Sequence, residues 1–316
     1  MRYQFTLSEP PPRRHYEWLG LIPLLAVIVA MVIAAACGEK TPPRADASES
    51  AVGPTATATT PGTGTSAVGP VSFERAESVY HERRFDEATT LFKAYTESSP
   101  KNPWGFYMVG MSSWKSGDRT GAEAAFGRAL QLDSTHVKAH LNLGRVLIED
   151  GRPSEAVPHI ERAIALDSVS SEGYRLLGRA YDALGKTDSA VTAFKEALVR
   201  DDGDVWAMNN LAMVYIGAGQ FEDALGPLAR ATQLAPEVAT FQNNLGIALE
   251  GAGHLTAAAQ AYQAAIVADS TYGKAATSLA RVRQLKEDPN IPPVDLTSLV
   301  GKFVLLIEQW KTEAGC

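Results

Sequence analysis

Asn142, Asn210 and Asn244 lie 34 residues apart or twice that, and Asn209 and Asn243 stand beside two of them. A carboxamide carries two N–H donors and a carbonyl acceptor, so a row of them on one surface can hold the backbone of an extended peptide without reading its side chains. Other chemistry is sparse. His136 and His140 are four residues apart and can share a helix face, but no cysteine or carboxylate is placed to complete a metal site. Cys37 and Cys316 fall in neither a CxxC nor a CxxH spacing, so neither a zinc site nor a disulfide framework is indicated. No Ser/His/Asp or Cys/His grouping and no phosphate-binding loop appears. Glu149 and Asp150 read as solvated charges at a helix end. These residue types point to binding rather than catalysis, with no cofactor and no metal.

The asparagine spacing is the period of a larger unit that recurs six times over residues 71–272. Gly110, Gly144, Gly178, Ala212 and Gly246 hold position eight of units two to six, and Ala76 completes the set in unit one. Position twenty is Ala88, Ala122, Ala156, Ala190, Ala224 and Ala258. In each unit a first apolar-periodic segment ends near Gly117, Gly151, Gly185, Gly219 or Gly253, where glycine can take the left-handed conformation that stops a helix. A second segment follows, with apolar residues such as Phe126, Ala129 and Leu130, or Phe194, Ala197 and Leu198, at three- and four-residue steps. The small residues admit close backbones, and Tyr174, Leu177, Tyr181 and Phe194 fill the space between units. No unit can bury its apolar face alone, so neighbours must stack. Pro158 and Pro227 fall inside predicted second helices, where slight bends rather than breaks are expected.

A 34-residue period with two helix-length segments resembles the tetratricopeptide repeat (TPR) family, which implies an all-α, right-handed superhelical solenoid of six helix-turn-helix repeats plus a capping helix. The resemblance also implies a groove lined by positions two, five, six, nine and twelve of the first helices. Those positions hold Trp104, Tyr107, Met108, Met111 and Trp114 in unit two, and Lys138, Leu141, Asn142 and Arg145 in unit three. Unit four supplies Glu172, Arg175, Arg179 and Asp182, unit five Trp206, Asn209, Asn210 and Met213, and unit six Thr240, Asn243, Asn244 and Ile247. The unit-two set reads either as an apolar patch for a partner's anchor side chains or as packing against Phe73 and Tyr80 of unit one. Arg145, Arg175 and Arg179 read either as a basic patch suited to carboxylates or as a solvated face paired with Glu172 and Asp182. The asparagines resemble the amide ladder of some long TPR superhelices. The two-carboxylate clamp of chaperone-binding TPR domains is not expected, because Thr240, Asn244 and Arg179 stand where it needs other residues.

Before the repeats, Arg13 and Arg14 precede an uncharged run from Leu19 to Ala36, then Cys37 and Gly38. Residues 1–36 resemble a bacterial lipoprotein signal, with Ala34, Ala35, Ala36 and Cys37 as the lipobox and Cys37 as the lipidated residue; Ala34 departs from the usual leucine. The 19–36 segment is also just long enough to serve as an uncleaved anchor. Either reading places the repeats outside the inner membrane, in the bacterial envelope. Residues 37–70 are rich in Thr, Ala, Pro and Gly and read as a flexible tether. Residues 273–288 read as a capping helix, and residues 289–316 as a tail whose amphipathic helix, capped by Asp295, either packs on the last repeats or serves self-association together with Cys316. A net charge of -7 argues against nucleic acid as a partner. The expected partners are other envelope proteins or peptides, with the membrane contacted through the Cys37 lipid or the 19–36 segment. The expected role is a non-catalytic scaffold aiding assembly of pilus, secretin, outer-membrane or cell-wall machinery, with a self-associating structural protein as the alternative.

Overall fold

A computed structural model of the chain describes residues 71–315. The signal or anchor expected at 1–36, the tether at 37–70, Cys37 and Cys316 lie outside the described residues. Among the described residues there are fourteen α-helices and no strand. Twelve of them form six hairpins: α1 (Phe73–His81) with α2 (Phe85–Ser98), α3 (Pro103–Ser116) with α4 (Arg119–Leu132), α5 (Val137–Glu149) with α6 (Pro153–Leu166), α7 (Ser171–Ala183) with α8 (Thr187–Arg200), α9 (Val205–Gly217) with α10 (Phe221–Leu234), and α11 (Ala239–Gly251) with α12 (Leu255–Ala268). A short α13 (Gly273–Val282) and a longer α14 (Leu296–Glu313) follow.

The hairpins close where the glycines predict. Gly117, Gly151, Gly185, Gly219 and Gly253 all have positive φ, and in unit one Arg83 holds the same left-handed turn at φ 64° without being glycine. A side chain there costs roughly 1–2 kcal/mol of backbone strain. Within a hairpin, position eight of the first helix meets position twenty-four of the second. A Cβ added at Gly178 would sit 2.6 Å from the Phe194 ring, and one at Gly246 would sit 2.5 Å from the Tyr262 ring. Both rings are fully buried, so these glycines exist to let an aromatic side chain lie flat on the partner backbone. Helices α6 and α10 run without a break through Pro158 and Pro227.

From unit two onward each first helix touches the first helix of the next unit, ending on α13, while each second helix touches its own partner and the following first helix. The first helices therefore make one continuous inner layer and the second helices an outer one. Helix α13 caps the array but stops at Val282 rather than running to Asp288. From Arg283 to Asn290 the side chains are exposed and supply no further apolar face, and the chain turns back along the start of α12, where Glu287 accepts from Thr256 and Ile291 lies against Gly253.

That return places α14 on the outer layer, against α8 and α10 of units four and five. The Asp295 carboxylate caps it by accepting the Ser298 N–H at 3.0 Å. Phe303, Ile307 and Trp310 are buried with Phe194, Leu198, Ala231 and Ala235. Gly226 admits the close approach, since a Cβ there would lie 3.2 Å from Phe303 Cβ. Lys195 sits 4.9 Å from the Trp310 ring centroid, and Lys311 donates to Asp202 at 2.5 Å. Phe303, Ile307 and Trp310 of the tail helix are thus covered by its own chain, while Leu305 and Leu306 stay exposed.

Candidate functional site

The side chains expected in the groove form a belt across the inner layer of units two to six. At its N-terminal end Trp104 is 47% exposed and packs at a tilt against His136, ring centroids 4.5 Å and planes 53° apart, with Lys138 Nζ 5.9 Å from its ring centroid. The Trp114 indole N–H donates to Glu149 at 2.9 Å, and the Arg145 guanidinium lies 5.2 Å from its ring. Met111 is half-buried beside them. Tyr107 is buried, with its hydroxyl accepting from Asn142 at 3.2 Å, and burial pushes its pKa up to about 12. Unit two therefore divides: Met108 packs on the same cluster as Phe73 and Tyr80 of unit one, Tyr107 is buried against Phe126 and His136 instead, and Trp104 is open.

In the middle of the belt Arg145 pairs with Glu172 of the next unit and also donates to the Asn142 carbonyl at 2.6 Å. Arg175 donates to Asp204 at 2.9 Å. Asp204 is buried and also accepts the Ser171 hydroxyl and the backbone N–H groups of Trp206 and Ala207, so it caps α9 while joining units four and five. The third arginine differs. The Arg179 side chain has neither a hydrogen bond nor an ion pair with any described residue. Burial, together with the charges of Arg145 and Arg175, holds its guanidinium below the usual arginine range, and Glu149 works the other way. The side chain of Asp182, expected as a partner in this group, pairs with no described residue, and burial pushes its carboxyl up.

At the C-terminal end Trp206 is 49% exposed and meets Phe241 edge-on, centroids 4.9 Å apart, and Met213 is 38% exposed. The amides between them form a relay. Asn243 donates to Asn244 at 3.3 Å, Asn244 to Asn209 at 2.8 Å, and Asn209 to Asn210 at 3.4 Å. Asn243, Asn244 and Asn209 are buried, so their hydrogen bonds hold unit six to unit five, and Asn210 is the accessible end of the relay. Asn142 is buried too, bonded to Tyr107 and to the Lys138 carbonyl. Of the asparagines expected to face a peptide, Asn210 is the one whose side chain has open surface.

Two groups escaped the sequence. The Nδ1 atoms of His140 and His159 stand 3.2 Å apart, with His140 Nε2 at 3.2 Å from the Ser134 carbonyl. His159 lies one helix away and nothing in the spacing links it to His140. Asp204 was legible in principle, because a cap-forming residue at the last position of a unit, directly before a predicted first helix, is a helix-start signal. Among the described residues no three His, Cys, Asp or Glu side chains gather in a way that could hold a metal ion.

Residues 107–171, 141–205, 175–231 and 209–273 each match the tetratricopeptide repeat family, and together they cover more than half of the 316 residues. The chain belongs to the tetratricopeptide repeat family. Its solenoid is similar to PilW, a widely conserved type IV pilus biogenesis factor, at 19% identity over 65% of this chain and 96% of that one, with a TM-score of 0.60. It is also similar to TTC0263, a thermophilic TPR protein of Thermus thermophilus, at 20% identity over 58% of this chain and 100% of that one, with a TM-score of 0.51. A chain of the APC/C Cut9–Hcn1 hetero-tetramer aligns at 15% identity over 78% of this chain and 50% of its own, with a TM-score of 0.58. Comparison with curated proteins finds no match. At these identities the likenesses are of fold.

Proposed function

We propose that this protein is a non-catalytic protein-interaction scaffold that takes a segment of a partner protein along the inner layer of its first helices, and that it works tethered to the bacterial envelope. The observation that carries the reading is the belt itself. Trp104, Trp206 and Met213 stay open on one face, while the other exposed large apolar side chains among the described residues are valines and leucines of second helices, loops and α14. Exposed tryptophans on a rigid surface supply anchor pockets at small entropic cost. The envelope reading rests on the arginine-led apolar leader and Cys37, and a tether of the length of 37–70 would raise the scaffold's effective concentration near its membrane. PilW's role in pilus biogenesis agrees with an assembly task in the envelope.

The test is affinity capture from detergent-solubilised envelope with the full chain and with a Trp104→Ala, Trp206→Ala, Asn210→Ala variant, both shown folded by circular dichroism. A partner held by the wild type and lost by the variant is the expected result. Identical captured sets would remove the inner layer as the working surface, and capture of only further copies of the chain would move self-association to the front.

A further inference from the structure

Position nine of the first helices reads Met111, Arg145, Arg179, Met213 and Ile247 from unit two to unit six. These side chains form one row across the belt, with apolar ends and two guanidinium groups between them. The two arginines are not equivalent. Arg145 is neutralised by Glu172, and Arg175 beside the row by Asp204. Glu149 is engaged by the Trp114 indole and lies within ion-pair distance of Arg119, and Asp182, one turn along α7 from Arg179, makes no ion pair with it. Arg179 is left as a half-buried cation with no partner among the described residues, although the molecule as a whole is acidic. A guanidinium partly withdrawn from water and left unpaired is destabilising, and that cost is offset when a ligand brings a carboxylate to its fork.

We propose that Arg179 is the specificity-determining residue of the groove and that the partner segment presents an aspartate or glutamate to it, flanked by large apolar side chains. This rests on the groove reading above and narrows it to a ligand class. Neighbouring helices lie roughly 9 Å apart and an extended chain advances about 3.3 Å per residue, so apolar residues about three positions from the acidic one reach the stations next to Arg179. On the Met213 side that station is apolar. On the other side Arg145 intervenes, and the apolar contact falls about six positions away, at Met111. Charge complementarity thus selects an acidic, apolar-flanked peptide and not a polyanion, because the remaining arginines of the belt are already neutralised.

The test uses the full chain in detergent micelles and a labelled synthetic peptide of about twelve residues with glutamate at the centre and leucine about three positions to one side and six to the other. Its counterpart carries glutamine in place of glutamate. Fluorescence anisotropy is expected to show the glutamate peptide binding at least about tenfold more tightly than the glutamine peptide. That preference should vanish in Arg179→Gln and return in part in Arg179→Lys, which keeps the charge and loses the fork. Equal binding of both peptides by the wild type, or a preference that survives Arg179→Gln, overturns the proposal while leaving the groove as a binding surface. Failure of the glutamate peptide to bind also overturns it, and the envelope capture experiment then decides separately whether the groove binds at all.

Discussion

The amide of Asn244 reaches back 2.8 Å to Asn209, so the residue that the period marks as a ligand holder is used first as a bolt between units. The same double use recurs at Asn142, and Asp204, which the period does not mark, likewise joins neighbouring units at the groove wall. At this scale the histidines make a testable point. Burial holds His136, His140 and His159 below the usual imidazole range, and His140 and His159 press on one another. The unfolded chain takes up protons near the ordinary value of about 6.5, so between the two values it binds more protons than the folded one. Stability is therefore full above about pH 7 and falls as the pH drops through the ordinary histidine range. The thermal midpoint should be lower by about 2–6 °C at pH 5.5 than at pH 7.5, and a His140→Gln, His159→Gln variant should show a smaller drop. An equal drop in the variant would assign the effect to other groups. The pair was invisible in the sequence because His159 follows no repeated position. Arg179, by contrast, was legible as a residue but not as an unpaired one, since pairing depends on where Glu172 and Asp204 reach.

The helical hairpins were readable as elements because three independent signals coincide in each unit: a small residue at position eight, alanine at position twenty and a turn glycine at position fifteen. Unit one departs from the third, and Arg83 shows that packing can impose the turn where glycine is missing. Less legible was the destination of α14. Its wide apolar face announced a need for cover, but whether units four, five or six supplied it depended on the path of the 283–295 segment, which carries no periodicity. Phe303 is the centre of that contact. Phe303→Ala should cost about 3–5 kcal/mol locally. In a stacked array such a loss spreads only to neighbours, so hydrogen exchange should speed up in α14, α8 and α10 while α1 to α4 keep their protection. Uniform loss along the chain would show that α14 supports the solenoid globally; no loss would show that the contact is weak.

For the molecule as a whole, the decisive asymmetry is between its two layers. The inner layer carries exposed tryptophans, an unpaired arginine and an open asparagine; the outer layer is occupied in part by the chain's own α14. A scaffold built this way presents its tryptophans and its unpaired arginine on the inner face, and the leader and tether expected at 1–70 would set where that face is presented. The claim is tested most directly by photo-crosslinking in living cells, from a photoreactive residue placed either at Met213 on the inner layer or at Val267, an exposed side chain on α12 of the outer layer. The account predicts a discrete adduct with another protein from Met213 and none from Val267. Adducts from Val267 alone, or equal adducts from both positions, would contradict it.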